Sequence, residues 1–296
     1  MSVHPYASRR YAETMAHLGR PCWVEPWGTA MLLRDAPGGA QDVAGLYPLC
    51  AIRQGGDLSA GMETLRQSGA VSVVAVADPF TAPGPDHLCG AFDAVRPFKM
   101  HWTVERAAGQ PDFSRHHRQE IRMAGRRCHI RRGVLEDHLD DWCRLYAGLC
   151  RRHGLAGFHA FPRASFAALA EVDGLNVFVA ESEAGEIIAM HLWIDDGRIA
   201  YSHLAASDMA GYRARAPYGL YAAAIEHFAS REAIDLGGGA GLSDAEGDGL
   251  AQFKRGFANA SRIAHLCGHV LDHTAYARLS AGCGDGSYFP AYRAPG

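Results

Sequence analysis

The two lysines of this chain, Lys99 and Lys254, stand out against a background of arginine. The 296-residue sequence has 29 lysine and arginine residues in total, and only these two are lysine. Arginine is a planar, permanently charged fork, whereas lysine is a compact charge on a flexible stem that suits a phosphate or a developing oxyanion. Lys254 is therefore the first candidate for chemistry. The alternative interpretation is a surface lysine on a helix.

The segment that leads to Lys254 is rich in glycine. Residues 234–257 read IDLGGGAGLSDAEGDGLAQFKRGF, an apolar run followed by glycines and a helix-like stretch. A strand ending in Asp-x-Gly-x-Gly-x-Gly is also typical of S-adenosylmethionine or dinucleotide sites, but such a domain needs further strand–helix repeats and an acidic residue about 20 positions on. The short remaining tail supplies neither. A serine or cysteine hydrolase is disfavoured because the sequence contains no G-x-S-x-G elbow.

Arginine is concentrated in the segment from residue 115 to residue 132, which has seven arginines and one acidic residue, Glu120. Intervals of three and four residues place four of them on one face of a predicted helix; these are Arg115, Arg118, Arg122 and Arg126. Such a face can bind the phosphates of RNA or of a nucleotide-like donor. The alternative is a solvated helix face or a set of ion pairs.

Composition describes an ordinary globular protein, with 48% hydrophobic and 21% charged residues and a net charge of −3. This charge points to no DNA partner, and any RNA contact must use a local patch. The sequence shows no membrane-spanning run and no signal peptide, so we expect a cytoplasmic protein without a membrane partner. The eight cysteines include no C-x-x-C pair. His265, Cys267 and His269 alternate on a probable strand, but no carboxylate completes a set of ligands, so we expect no metal site.

The N-terminal part predicts a small α/β unit. The segments TAMLLRD, YPLCAIR and AVSVVAVADPF have the composition of strands, and FDAVRPFKMHWTVE is a further strand that contains Lys99. Between the second and third strands, Asp57 can cap a helix that Gly69 ends. Residues 105–114 lack periodicity, so the predicted domains are 1–110 and 111–296.

The C-terminal part has clearer periodicity. Helices are predicted at 136–153 and in PRASFAALAEV, followed by three strands of an antiparallel meander, LNVFVAES, EIIAMHLWID and RIAYSHLAA. The loop SDMAGYRARAPYG then leads to a helix that starts near Pro217. The free N–H groups of this helix, with Arg213 and Arg215 beside them, predict an anion site. The strand AIDLG and the glycine segment follow.

This order of elements resembles the Gcn5-related acetyltransferase (GNAT) fold. The pieces GEIIAMHLWIDDGRIAYSHLAAS, PYGLYAAAIEHFAS, IDLGGG and GLAQFKRGF resemble the C-terminal half of FemAB-like transferases, including the BioF2-like family, and the tail YFPAYR resembles a terminal motif of uncharacterised members. The resemblance covers residues 115–280 well. It implies an α+β fold of tandem GNAT-like (acyl-CoA N-acyltransferase) domains, with mixed, mostly antiparallel sheets flanked by helices.

The resemblance also implies a site. The acyl donor enters where the third strand of the meander parts from the next strand, and the lysine of an F-K pair, here Phe253 and Lys254, stabilises charge during transfer. The expected base is His203 or Asp235, and Tyr201 and Tyr218 are the expected hydroxyl donors. The expected donor-binding residues are Arg213, Arg215, Gly219, Phe253 and Arg255. The expected substrate or tRNA contacts are Arg115, Arg118, Arg122, Trp193 and His191.

Characterised members of the family transfer amino acids from aminoacyl-tRNA to cell-wall precursors or small natural products. We therefore predict an acyltransferase that binds the acceptor end of tRNA, takes a small-molecule or peptide amine as acceptor, and holds no permanent cofactor. The alternative donor is acetyl-CoA. Enzymes that use it carry an R/Q-x-x-G-x-G/A loop, whereas this chain has Pro217 inside that register, which removes an amide donor. A degenerate GNAT-like protein that only binds RNA or a nucleotide is the non-enzymatic alternative.

Overall fold

The computed structural model describes residues 3–155, 157, 160–240, 248–283 and 288–294. It divides into two compact units: unit 1 is Met1–Phe98 with Ile263–Gly296, and unit 2 is Lys99–Arg262. The sequence predicts a boundary between two GNAT-like domains after residue 110, and that boundary stays a prediction. None of the described helices combines the length and the apolar composition that a membrane crossing needs.

Unit 1 is a five-stranded mixed sheet with short helices. Its strands are β1 (Arg20–Val24), β2 (Thr29–Asp35), β3 (Gln41–Gly45), β4 (Ser72–Ala77) and the greater part of β11 (Ala260–Val270). They lie in that order, and only β3 and β4 are parallel. The helices are α1 (Arg9–Glu13), α2 (Leu58–Gln67), α3 (Pro85–Cys89) and α10 (His273–Leu279).

The α2 helix forms as the sequence predicts. The Asp57 carboxylate accepts a hydrogen bond from the Ala60 N–H at 2.9 Å, and Gly69 follows the helix with a φ of +78°. The predicted strand YPLCAIR is wrong, because only Cys50 forms an isolated bridge, to Ala77. Pro48 has no N–H to donate to a ladder, and β3 occupies the sheet position instead.

Unit 2 contains a six-stranded sheet. Its strands are the later part of β5 (Ala94–Glu105), then β6 (His129–Gly133), β7 (Leu175–Glu181), β8 (Ile187–Asp195), β9 (Ile199–Ser207) and β10 (Ala233–Gly237). They lie in the order β5, β10, β9, β8, β7, β6, with only β9 and β10 parallel. The helices are α4 (Arg115–Arg127), α5 (Leu139–His153), α6 (Arg163–Ala170), α7 (Met209–Ala214), α8 (Ala216–His227) and α9 (Gly249–Arg255).

The predicted meander, the helices on either side of it and the α+β class are confirmed. Two elements of unit 2 were not predicted: strand β6, which lies in the arginine-rich segment, and α7, which lies inside a predicted loop. The α7 helix begins because the Asp208 carboxylate accepts from the Gly211 N–H at 2.8 Å.

The parallel pair β9 and β10 opens soon after it forms. Its ladder joins Ala233 to Ile199, Ile234 to Ala200 and Asp235 to Tyr201. Beyond Asp235, β9 continues to Ser207 while β10 ends at Gly237. A buried hydrophobic cluster that includes Trp193, Tyr221, Phe228 and Phe257 fills the space between this sheet and its helices. Tyr201 and Asp235, two of the predicted site residues, form the last pair of this ladder before the strands part.

Candidate active site

Lys254 lies on α9 and points back at the glycine segment that precedes its helix. Its side chain is buried, with 8% of the residue exposed, and its Nζ donates to the Gly238 carbonyl at 2.7 Å. Gly237 makes this approach possible: its φ is +80°, and a Cβ there would lie 2.9 Å from the Lys254 Nζ. Residues 241–247 of the glycine segment lie outside the described residues.

The second lysine of the chain converges on the same segment. Lys99 lies on β5, is also buried, and donates from Nζ to the Ala240 carbonyl at 3.0 Å and to the Gly239 carbonyl at 3.4 Å. The two lysines that composition singles out therefore bind successive carbonyls of one short stretch of backbone.

Asp235 forms a buried pair with His101. The His101 Nδ1 lies 2.8 Å from one carboxylate oxygen and 3.1 Å from the other. Both side chains are nearly enclosed by protein. The second oxygen also accepts the Gly237 N–H at 2.8 Å. Two donors thus fix the orientation of the carboxylate.

Burial tunes the charge of Lys254. Desolvation, with a smaller contribution from the Lys99 charge, lowers the pKa of this lysine from 10.5 to about 8 against the opposing attraction of the Asp235 and Asp248 carboxylates. At neutral pH the amine is mostly protonated and can still release its proton. A cation of this kind suits a site where negative charge develops and then disappears.

His203 lies at an irregular point of β9. Leu204 faces Leu192 and Ser202 faces Trp193, so His203 is the extra residue of a β-bulge. Burial lowers the pKa of this histidine from 6.5 to about 3, which makes it a weak base at neutral pH. Tyr201 lies two residues earlier, level with Asp235 in the parallel ladder, and is fully buried.

An aromatic cluster supports Lys254 from α4 and α8. The Phe253 ring lies 4.9 Å from the rings of both Tyr218 and Tyr221. His117 binds the Phe253 carbonyl through Nε2 at 2.7 Å and Ser114 through Nδ1 at 2.8 Å. Phe253 of the F-K pair is therefore held in place by aromatic packing of its ring and by a hydrogen bond from His117 to its carbonyl.

The predicted anion site at the start of α8 is partly occupied by protein groups. Arg215 has a φ of +67°, and its Nε lies 2.8 Å from the Glu120 carboxylate of α4. Gly219 serves close packing, because a Cβ there would lie 2.2 Å from Ile130. Arg213 is exposed, and Arg255 is exposed with its guanidinium 6.0 Å from the centre of the Trp102 ring.

The predicted substrate contacts fall into two groups. Arg115, Arg118 and Arg122 are exposed on α4, and Arg118 is paired with Asp112 at 2.5 Å. His191 and Trp193 are instead enclosed in the core, each with 0% exposure. The structure therefore places these two residues in packing positions, with the His191 Nε2 hydrogen-bonded to Ser202 at 2.9 Å.

Sequence reasoning missed His101 and His117. His101 lies two residues after Lys99 on a strand whose residues alternate in burial, so both share one face. That spacing is the signal that could have found it. His117 was hidden among the arginines of α4. Within the described ranges, no three potential metal ligands come together, and His265, Cys267 and His269 are no exception.

A model of the acetyltransferase (GNAT) domain matches residues 111–255. Similar solved structures include FemX, with a TM-score of 0.65 and 14% identity over 92% of this chain and 93% of that one. Another is the C-terminal domain of a protein described as a lysylphosphatidylglycerol synthetase from Agrobacterium fabrum, with a TM-score of 0.60 and 16% identity over 91% and 92%. L-PGS from Bacillus licheniformis has a TM-score of 0.57 and 12% identity over 91% and 93%. No curated protein matches.

Identities this low show a shared fold, and the matched domain supplies the class: the protein is an acyltransferase with the GNAT fold. FemX, whose name matches the FemAB-like resemblance of the sequence, is among the solved structures that share this fold.

Proposed function

We propose that the protein forms an amide bond by transferring an aminoacyl group from aminoacyl-tRNA to the amine of a small-molecule or peptide acceptor. The observation that carries the proposal is the buried ammonium of Lys254 beside the point where β9 and β10 part. The resemblance to FemAB-like transferases supplies the donor.

The reaction needs stabilisation of a transient negative charge. The acceptor amine attacks the ester carbonyl carbon of the donor, and the carbonyl oxygen carries a negative charge until the ester C–O bond breaks. A partly desolvated cation acts strongly on such an oxyanion because the local dielectric constant is low. Lys254 is buried, is held by the Gly238 carbonyl and carries its charge at neutral pH, which supports this role.

The start of α8 favours tRNA over a coenzyme A pyrophosphate. Pro217 has no N–H, and the Arg215 side chain is already paired with Glu120. A pyrophosphate loop depends on several free backbone amides in succession. The acetyltransferase description of the matched domain favours acetyl-CoA as the second candidate donor.

The exposed arginines of α4 are the proposed contacts for the acceptor end of tRNA. Arg115 and Arg122 are exposed on the helix that also carries His117, and His117 binds the backbone beside Lys254. Phosphates bound along this face would lead towards the F-K pair. The proposal places the reaction in the cytoplasm, where charged tRNA is made.

The test is a donor-consumption assay. Purified protein is incubated with radiolabelled aminoacyl-tRNAs or labelled acetyl-CoA, each with a panel of amino acids, amino sugars and peptides. We expect acceptor-dependent loss of label from aminoacyl-tRNA and none from acetyl-CoA. Lys254→Met should reduce turnover by roughly 10²–10³-fold, the usual effect of removing one oxyanion-stabilising group. Consumption of acetyl-CoA alone would establish the second candidate and overturn the first.

Arg122→Gln and Arg151→Gln form a matched pair for the tRNA contact. Both residues are exposed on helices, Arg122 on α4 and Arg151 on α5. Arg122 is on the proposed path along the arginine face of α4, whereas Arg151 lies on a different helix outside that face. A rise in KM for aminoacyl-tRNA is expected only for Arg122→Gln, and equal effects of the two substitutions would argue against a defined path.

A further inference from the structure

We infer that His101 is the general base of the proposed transfer and that Asp235 is its positioning residue. The inference rests on the proposed function for its substrate, and on the geometry of the pair for everything else. It changes the role that the sequence suggests for Asp235, which was a candidate base itself.

The geometry fixes which nitrogen of His101 holds a proton. Nδ1 lies 2.8 Å from an oxygen of the Asp235 carboxylate, and a carboxylate accepts hydrogen bonds but donates none. The neutral imidazole therefore keeps its proton on Nδ1 and its lone pair on Nε2. A histidine held by a carboxylate in this way has the arrangement of a general base whose tautomer is set by its partner.

Among the described residues, His101 Nε2 has no hydrogen-bond partner, and 10% of the side chain remains exposed. The Asp235 carboxylate cannot take the amine proton as easily, because only 3% of its side chain is exposed and its oxygens already accept from His101 and the Gly237 N–H.

Two charged or titratable side chains act on Asp235, and these are Lys254 from α9 and Tyr221 from α8. Two more interact with Lys254, and these are Lys99, which shares strand β5 with His101, and His191 of β8. Lys254 and the Asp235 carboxylate attract each other. Asp235 therefore links the proposed base, to which it is hydrogen-bonded, with the proposed oxyanion-stabilising cation, which it attracts.

His101 accounts for every proton transfer in the reaction. As the acceptor nitrogen forms its bond to the ester carbonyl carbon, its proton moves to His101 Nε2 and the carbonyl π electrons move to oxygen. The oxyanion then collapses, the carbon–oxygen bond to the tRNA ribose breaks, and the leaving oxygen takes the proton from Nε2. The products are an amide and deacylated tRNA, and His101 returns to its starting tautomer.

The kinetic test compares the wild-type enzyme with His101→Gln and with His129→Gln, a control histidine that is 71% exposed on β6. The value of kcat/KM is measured with whichever donor the wild type consumes. His101→Gln should be roughly 10²–10⁴-fold slower than the wild type, whereas His129→Gln should match it. Imidazole should restore part of the activity of His101→Ala. Activity of His101→Gln within threefold of wild type, or no rescue of His101→Ala by imidazole, would overturn the inference.

A second readout needs no donor and separates this inference from the proposed function. In ¹⁵N-histidine-labelled protein, NMR should show His101 protonated at Nδ1, and Asp235→Asn should change that tautomer while His129 is unaffected. If the wild type consumes no donor, the proposed function fails, but the Nδ1–H tautomer would still support the pair. An Nε2–H tautomer in the wild type would overturn the inference regardless of activity.

Discussion

At the scale of single residues, Lys254 combines two properties that oppose each other. Its burial disfavours the ammonium form, while the Gly238 carbonyl and the nearby Asp235 charge favour it. The result is a lysine that is charged at neutral pH yet close to its titration range. An exposed lysine would keep its charge well above pH 9.

We predict that turnover falls as pH rises through about 8. The pKa of Lys254 is lowered to about 8, so its positive charge is present below that pH and is lost above it. Lys254→Arg keeps a charge at all accessible pH values and should lose this alkaline decline while retaining part of the activity. The measurement is kcat against pH for both proteins. An identical alkaline decline in Lys254→Arg would show that another group is responsible.

At the scale of elements, the site depends on how β10 gives way to α9. Gly237 ends the strand in the left-handed region and turns the backbone so that the next carbonyl meets Lys254. Gly185 in the turn between β7 and β8 has a similar φ, +79° against +80°, but its Cβ position is open. Both glycines therefore need the left-handed backbone conformation, but only Gly237 also needs room for the Lys254 side chain.

We predict that Gly237→Ala and Gly185→Ala lower stability similarly, by about 1–2 kcal/mol each, because both force alanine into the left-handed region. Only Gly237→Ala should also lower turnover, because its Cβ would lie 2.9 Å from the Lys254 Nζ and would push that amine aside. Urea unfolding and the donor assay provide the two measurements. Equal losses of turnover in both variants would refute the proposed contact between the glycine segment and Lys254.

At the scale of the whole molecule, unit 1 is closed by the C-terminal end of the chain. The buried Asp42 of β3 accepts from Arg34 at 3.0 Å and from Arg293 at 3.1 Å, and the Tyr292 hydroxyl bonds Ser72 at 2.7 Å. The terminal YFPAYR motif therefore stabilises the N-terminal sheet.

We predict that Arg293→Ala lowers the free energy of unfolding by about 2 kcal/mol, because a buried carboxylate loses one of its two cations. Arg34 remains as a partner, which limits the loss. The matched control is Arg278→Ala on α10, where the arginine is exposed and has no ion-pair partner among the described residues. Urea denaturation of both variants is the measurement, and equal stabilities would contradict a structural role for the terminal motif.

Local patterns explain which parts could be predicted. The strands β7 to β9 alternate with period two and end at turn residues, and α5 has apolar residues at helical spacing with Gly154 as its stop, so neighbours in sequence decide both. Strand β6 was missed because its five residues, HIRRG, carry charge and continue an arginine-rich helix without a break. His191 and Trp193 were predicted to contact the substrate or tRNA, because a strand pattern does not reveal which face of the sheet a helix will cover.

The sequence by itself predicted the GNAT fold and the meander and singled out Lys254 as a candidate, since composition, period and motif are properties of the chain alone. Only the tertiary structure decided the partner of Asp235. His101 lies 134 positions away and meets it because β5 pairs with β10 in an antiparallel register that sets Asp235 opposite Thr103. Register between distant strands depends on the packing of both faces, which no local pattern encodes. The same long-range pairing brings Lys99 to the glycine segment, and so unites the two lysines of the chain in one site.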